Sequence, residues 1–244
     1  MLRVTIWNEF HHELEEGRAK ELYPQGIHAC LAQALRADDL EITTAWLEKD
    51  EEHGLSAEVL AQTDVLLWWG HCRHGDVRDD VADRVVARVQ QGMGFLALHS
   101  AHMSKPFRRL MGTPCTLQWR DADETCVVWN VNPNHPITRD VPLHFILNAE
   151  EMYGEQFFIP KPDELIFVSW FQGGNVFRGG CTFTRGLGKI FYFHPGHETC
   201  PSFHNEHVQR VIANGIRWAA PPLPREFRAG CKVEPIDLHA EAAK

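Results

Sequence analysis

The chain has 244 residues, of which 44% are hydrophobic, and its formal net charge is −9 at pH 7. This composition suits a large folded domain and is not typical of a disordered chain. An acidic chain repels phosphate backbones and anionic lipid, which disfavours binding to nucleic acid or membranes. Seven scattered cysteines without a CxxC pair indicate reduced thiols, and no apolar run approaches the ~20 residues of a membrane span. We therefore expect a cytoplasmic protein.

The first half of the sequence alternates predicted strands and helices. Short apolar or β-branched runs predict buried strands at 2–8, 40–46, 64–70 and 94–100. Apolar residues at helical spacing predict helices at 23–37 and 79–92, and "HMSKPFRRLMG" predicts a short helix after the fourth strand. Because parallel strands need crossover connections, this alternation predicts a mostly parallel sheet with helices on both faces.

The second half predicts an antiparallel extension of that sheet. Strand candidates separated by turns are "TCVVWNV", "FILNAEEMYG", "ELIFVSWF", "GCTFTRG" and "KIFYFHPG". An amphipathic helix follows at 205–220, and the Pro-rich tail "PPLPREF" comes after it. Without an internal repeat or a linker, the sequence predicts one α/β domain over residues 1–244.

Histidines recur in pairs with i, i+3 spacing. Ligands of open parallel sheets bind beyond the carboxyl ends of the strands, and three of the pairs follow predicted strands. The end of the first strand also carries Asn8, Glu9, His11 and His12. We expect the fourth pair, which begins the last helix, to lie on the surface. In chain order the pairs are His71/His74, His99/His102, His194/His197 and His204/His207.

Two segments resemble class I glutamine amidotransferases. "GFLALHSAH" has the layout of their strand–turn–helix elbow, and "FYFHPGHE" is similar to their histidine segment. The family's Cys nucleophile is replaced here by His99, and the Glu that follows the family's histidine is replaced by Gly196. We therefore expect no glutaminase activity.

A more extensive resemblance is to the ThuA-like (trehalose utilisation) family. It runs over about residues 3–220 and is carried by "VTIWNE", "YPQGIH", "WWGHCRHGDVRDDV", "LALHSAHMSKPFRRLMGT", "EEMYGE" and "FYFHPGHET". The resemblance implies an amidotransferase-like, flavodoxin-like α/β fold and a place in disaccharide catabolism. It does not define the reaction.

The histidines predict a divalent metal site, with zinc as the expected ion. Neutral imidazole suits Zn²⁺, Ni²⁺ or Fe²⁺, and catalytic zinc takes three protein ligands and a water molecule. The alternative is that these histidines satisfy local hydrogen bonds in the core and loops. The predicted ligands are His71, His99, His102 and His197.

Acid–base and substrate-binding roles fall on neighbouring residues. His194 occupies the amidotransferase histidine position, while Glu198 and Glu151 offer carboxylates; the alternatives are a decorated turn and a solvated strand face. Aromatic and polar side chains near the strand ends suit a sugar, although tryptophans there are more often core residues. The predicted substrate-binding residues are Trp7, Asn8, Arg73, His74 and Tyr153.

These features predict a metal-assisted enzyme that acts on a disaccharide or an oxidised sugar derivative. Isomerisation, elimination and hydrolysis all remain open. The rival hypotheses are a non-catalytic sugar-binding or regulatory domain and a scaffold subunit of a catabolic complex. Aromatic residues in the second half predict a homo-oligomer.

Overall fold

The computed structural model describes residues 1–221, 230 and 232–235. Nine strands form one sheet in the order β2-β1-β3-β4-β9-β8-β7-β5-β6. Most of the Pro-rich tail lies outside the described residues, so the prediction of one domain over 1–244 stays a prediction. The strands are β1 Leu2–Asn8, β2 Leu40–Trp46, β3 Val65–Trp69, β4 Gly94–Leu98, β5 Gln118–Asn130, β6 His144–Gly154, β7 Glu164–Phe171, β8 Val176–Arg185 and β9 Gly188–Phe193.

Helices cover both faces of the parallel half of the sheet, as predicted. On one face, a Cβ at Gly215 of the last helix would lie 3.0 Å from Phe191 and 3.1 Å from Leu96. On the other face, a Cβ at Gly188 would meet the backbone of Val89 at 2.0 Å, so helix and strand touch directly. The helices are α1 Arg18–Leu22, α2 Ile27–Ala34, α3 Ala57–Ala61, α4 Asp79–Gln90, α5 Lys105–Met111 and α6 Glu206–Ala219.

The predicted antiparallel extension is present and adds four strands to the five of the parallel part. β1, β2, β3, β4 and β9 pair in parallel, and β8, β7, β5 and β6 continue the sheet in antiparallel pairings. The α/β class is therefore confirmed, and the antiparallel extension makes this a mixed sheet with four parallel and four antiparallel strand pairings. Short turns such as Gly173–Gly174 and Gly186 allow antiparallel neighbours without crossover helices.

The described part of the chain bears on membrane-spanning helices and on the state of the cysteines. None of its helices is long and apolar enough to cross a membrane. Six cysteines in this part of the chain are free thiols, and Cys231 lies outside the described residues.

The sheet order places the candidate site. β1, β3, β4 and β9 are consecutive and parallel, so their carboxyl ends meet at one edge. β3 and β4 are buried throughout, as strands covered on both faces should be. The loops that follow Asn8, Trp69, Leu98 and Phe193 therefore converge at this edge.

Candidate metal-binding site

His99 begins the turn after β4 and is fully buried. Its φ of +52° lies in the left-handed region, which suits the sharp turn predicted for the elbow. Its Nδ1 donates to the carbonyl oxygen of His194 at 2.9 Å, and its Nε2 lies 2.9 Å from Glu151 Oε2. The Tyr153 hydroxyl is 3.2 Å from the same Nε2. Both ring nitrogens of His99 are thus engaged within the protein.

The contact between His99 and Glu151 is a buried ion pair. Burial by itself lowers the pKa of His99, but the hydrogen bond and charge of Glu151 outweigh it and raise the pKa above its usual value. For Glu151, burial raises the pKa, and the bond to His99 more than offsets it, so the net shift is downward. Each group therefore favours the charged form of the other, and the bond from His99 orients the Glu151 carboxylate.

A group of metal-ligand type lies next to this pair. One donor atom each from His71, Glu151 and His197 lies within 4.8 Å of the others, a separation that one ion can bridge. The Nε2 of His197 is 3.8 Å from Glu151 Oε2, while its Nδ1 bonds to Thr199 Oγ1 at 2.8 Å. Two imidazoles and a carboxylate are a donor set suited to zinc or iron.

Glu198 adds a second carboxylate to this group. Its Oε1 lies 3.1 Å from His71 Nδ1, and its Oε2 lies 3.6 Å from His197 Nε2. The Oε2 atom is buried and has no hydrogen-bond partner among the residues that the structure describes. Burial raises the pKa of Glu198, but the bond to His71 and the charges of the neighbouring histidines outweigh burial and lower the pKa to about 2. An ionised, buried oxygen without a donor fits a cation.

Glu9 holds the loop that carries His71. Its carboxylate accepts backbone N–H bonds from His71 at 2.8 Å, Cys72 at 3.1 Å and Arg73 at 2.8 Å. Burial raises the pKa of Glu9, and these bonds together bring it below the usual value. Glu9 therefore acts as a buried anchor for the loop after β3.

Glu150 plays the same part for the loop that carries His197. It accepts from the backbone N–H groups of Gly196 at 2.9 Å and His197 at 3.1 Å, and from the Ser202 hydroxyl at 2.5 Å. It is fully buried on β6, directly before Glu151. Two buried carboxylates thus preorganise the two loops that supply the candidate ligands.

A cavity of about 240 Å³ opens beside the candidate ligands. Trp119, at the start of β5, stands at this cavity with 67% of its surface exposed. Burial raises the pKa of Tyr153 well above its usual value, so its hydroxyl stays protonated in the cavity wall. The lining residues are His71, Ser100, His102, Met103, Thr116, Leu117, Trp119, Glu151 and Tyr153.

The predicted metal ligands are divided between two environments. His71 and His197 lie together, whereas neither His99 nor His102 joins a group of three metal-type donors within the described ranges. His102 Nδ1 donates to the Cys115 carbonyl at 2.6 Å, and burial lowers the pKa of its ring to about 3. His102 therefore lines the cavity as a neutral ring, and the geometry does not bring the 99/102 pair onto one ion.

His194, the predicted acid–base group, lies behind the cavity. Its side chain is fully buried, its Nε2 donates to the Glu151 carbonyl at 3.1 Å, and its Nδ1 is 3.5 Å from Ser169 Oγ. Burial lowers the pKa of His194 to about 3. A neutral, enclosed ring of this kind supports the site and does not fit a group that exchanges protons with a substrate.

Trp7 and Asn8 do not fit their predicted substrate-binding roles, because both are buried in the core. Trp7 is 1% exposed and stacks on Trp68 with ring centroids 3.9 Å apart. The Asn8 amide donates to Glu13 at 2.7 Å and contacts His28 at 3.0 Å. The last two residues of β1 therefore pack inside the protein, and the next residue is Glu9, which holds the loop after β3.

Arg73 and His74 lie outside the cavity lining. Arg73 pairs with Glu48 at 2.6 Å and with Asp76 at 2.7 Å, so its guanidinium is occupied by surface carboxylates. Burial lowers the pKa of His74 to about 4. Of the predicted substrate-binding residues, Tyr153 alone lies in the cavity wall.

Four residues at the site were given no role by sequence reasoning: Glu9, His12, Glu150 and Trp119. The run "NEFHHE" after the first strand was a signal for His12, whose Nε2 lies 3.2 Å from His71 Nδ1. The polar surroundings of Trp119 gave no such signal, and carboxylates that bind backbone N–H groups leave no pattern in a sequence.

Comparisons with known proteins agree with this geometry at the level of family and fold. The sequence model of the family described as ThuA, trehalose utilisation, matches residues 3–219. No curated protein matches the sequence. The structure is similar to that of a protein described as ThuA-like from Parabacteroides merdae, with a TM-score of 0.64 and 15% identity, over 95% of this chain and 92% of that one.

Two further solved structures share the fold. A protein described as ThuA-like from Bacteroides uniformis has a TM-score of 0.62 and 17% identity, over 89% of this chain and 91% of that one. A protein described as cytoplasmic from Salmonella typhimurium LT2 has a TM-score of 0.62 and 14% identity, over 90% of this chain and 100% of that one. At such identities the likeness concerns the fold alone.

Proposed function

We propose that this chain, which belongs to the ThuA family of trehalose utilisation, is a metal-dependent enzyme. Its substrate would be a disaccharide or an oxidised sugar derivative. The observation that carries this proposal is the group formed by His71, Glu151 and His197 on the edge of a cavity. The family supports a role in sugar metabolism; catalysis, the ion and the substrate are our proposals.

In this proposal His71, Glu151 and His197 hold the ion. A divalent ion in such a site polarises a substrate oxygen or activates water. His99 acts as a positioning residue, since its bond to Glu151 fixes the carboxylate and keeps it ionised. Glu198, with a pKa lowered to about 2 by His71 against the effect of burial, suits a ligand better than the general base predicted from sequence.

The substrate would lie between the donor group and Trp119. The Tyr153 hydroxyl, protonated and hydrogen-bonded to His99, can donate to a sugar oxygen. The exposed indole of Trp119 offers a flat apolar surface for the C–H face of a pyranose ring. We propose that these two groups replace the predicted contacts of Trp7 and Asn8.

The experiment combines chelation with turnover. Stripped protein is supplied with Zn²⁺, Mn²⁺ or Fe²⁺ and incubated with trehalose or its keto derivatives, and the products are separated by chromatography. We expect turnover only with a metal, and its loss in His197→Ala but not in the surface control His207→Ala. Turnover that survives chelation would contradict the proposal. A metal-free protein that is stabilised by sugar without turning it over would favour the non-catalytic binding domain.

Three further proposals concern the arrangement of the parallel strands, the cellular location and the oligomeric state. The order β2-β1-β3-β4-β9 supports a flavodoxin-like, amidotransferase-like arrangement of the parallel half. We propose a cytoplasmic location, in line with the free thiols of the described residues. We also propose a homo-oligomer, because Trp129, Ile146 and Trp170 are exposed on neighbouring strands of the antiparallel half, and light scattering on the purified protein tests it.

A further inference from the structure

We infer that the site holds two metal ions side by side, with the Glu198 carboxylate between them. This inference deepens the proposed function and rests on it. Besides the group already described, His12, His71 and Glu198 place one donor atom each within 4.8 Å of one another. The two groups share His71, so the donors form one continuous row across the loops after β1, β3 and β9.

Glu198 has the geometry of a bridging carboxylate. Its Oε1 faces His71 Nδ1 at 3.1 Å and His12 Nε2 at 3.8 Å. Its Oε2 faces the other side, 3.6 Å from His197 Nε2. Glu198 is 4% exposed, and Oε2 has no hydrogen-bond partner within the described part of the chain. Each oxygen thus meets a different histidine, as a carboxylate between two ions about 3.5–4 Å apart requires.

His12 and Cys72 supply the outer end of the row. His12 Nε2 lies 3.2 Å from His71 Nδ1 and 3.4 Å from Cys72 Sγ. Glu9 groups with His12 and Cys72 within 4.8 Å, and it accepts three backbone N–H bonds and the Cys72 thiol at 3.2 Å, so we assign it the anchoring role and not that of a ligand. A cysteine sulfur and an imidazole favour a soft or borderline divalent ion such as Zn²⁺ over Mg²⁺.

The donor count suffices for two ions. His71, Glu151 and His197 would hold the first ion, Cys72 and His12 would hold the second, and Glu198 would offer one carboxylate oxygen to each. Water or substrate would complete each coordination shell. Because the outer donors are partly exposed and the inner ones are buried, the two positions are expected to differ in how readily they exchange metal.

The test is the zinc content of the full chain. The protein is stripped with a chelator, reloaded with ZnCl₂, dialysed and analysed by mass spectrometry and calorimetry. We expect two zinc ions per chain, one after the double change His12→Ala and Cys72→Ser, and weakened binding of both ions in Glu198→Gln. The matched control is Cys30→Ser with His204→Ala, a Cys–His pair with Sγ and Nδ1 3.8 Å apart outside the site, which should keep two ions.

A second readout identifies the outer ion. Stripped protein titrated with Co²⁺ should develop a thiolate charge-transfer band that is absent in Cys72→Ser, while circular dichroism confirms that the variant is folded. One ion per chain that is unaffected by the double change would overturn the paired site and leave the proposed function standing. No bound zinc at all would overturn both.

Discussion

The buried carboxylate of Glu150 offers a quantitative test of how the site loops are held. Four donors point at it: the backbone N–H groups of Glu151 and His197 at Oε1, and the Gly196 N–H and Ser202 hydroxyl at Oε2. Glu150→Gln keeps the shape but replaces one oxygen with an amide nitrogen, which cannot accept. The better orientation places this nitrogen at the Oε2 position, because Ser202 can rotate and accept from it. One buried N–H, that of Gly196, is then stranded.

The expected cost of Glu150→Gln follows from this count. A stranded buried N–H costs about 1–3 kcal/mol, and two further bonds weaken by roughly 1 kcal/mol each because their acceptor is no longer charged. Burial raises the pKa of Glu150 against the opposing effects of His99, Ser202 and the N–H groups of His197 and Gly196, so the neutral amide also escapes a desolvation penalty. The losses sum to about 3–5 kcal/mol, and relief of the desolvation penalty should reduce the net loss in unfolding free energy to about 2–3 kcal/mol.

The assay for Glu150→Gln is urea denaturation at pH 7, with the metal affinity of the folded variant measured in parallel. Since the turn carries His197, zinc binding should weaken together with stability. The matched control is Glu48→Gln, whose carboxylate is exposed and pairs with Arg73 on the surface; it should change stability by less than about 1 kcal/mol. Equal, small losses in the two variants would refute the anchoring role of Glu150.

Three other predictions follow from the described contacts. Trp7→Ala should lose about 3–5 kcal/mol of unfolding free energy, because Trp7 is a core residue; a stable variant with weakened sugar binding would restore its predicted contact role. Burial raises the pKa of Glu9, but the backbone N–H bonds to its carboxylate bring the pKa below the usual 4.5. The ionised carboxylate therefore stabilises the fold fully above pH 4.5, and this stabilisation is lost as the pH falls through the lowered pKa. The melting-temperature difference between the wild type and Glu9→Gln should therefore narrow from pH 7 to pH 3, and a constant difference would contradict this. Glutamine should release no ammonia, since His99 and Gly196 replace the required Cys and Glu; release that disappears in Cys72→Ser would overturn that placement.

The fold could be predicted where burial leaves a pattern in the sequence. β1, β2 and β7 have the bounds that their apolar runs indicate, and α4 ends within two residues of its predicted end. β5 begins at Gln118, seven residues before the predicted 125; apart from Trp119, the residues that were missed are mostly polar and mostly exposed. They gave no apolar signal, although they pair with β6.

The helix predicted at 23–37 shows how local geometry overrides periodicity. It spans Ile27–Ala34, and the residue before it, Gly26, has a φ of +89° that a right-handed helix cannot contain. Tyr23 and Pro24 belong to the turn that precedes the helix. The apolar spacing was right, but it could not locate either end.

The sequence predicted at which edge of the sheet the site lies, but not which side chains would come together there. The expectation that strand ends gather the histidines is met by His71 and His197, which come from loops more than a hundred residues apart. The i, i+3 spacing was misleading, since His99 turns toward Glu151 while His102 turns toward Cys115. Contacts between distant loops depend on strand order, which no local motif encodes.

The most direct test of the account is a crystal structure of the zinc-loaded protein, with anomalous scattering measured on both sides of the zinc edge. We expect a strong peak between His71, Glu151 and His197, about 2.0–2.2 Å from the ring nitrogens and the carboxylate oxygen. Zinc found elsewhere in the molecule, with these three side chains keeping their direct contacts, would contradict it.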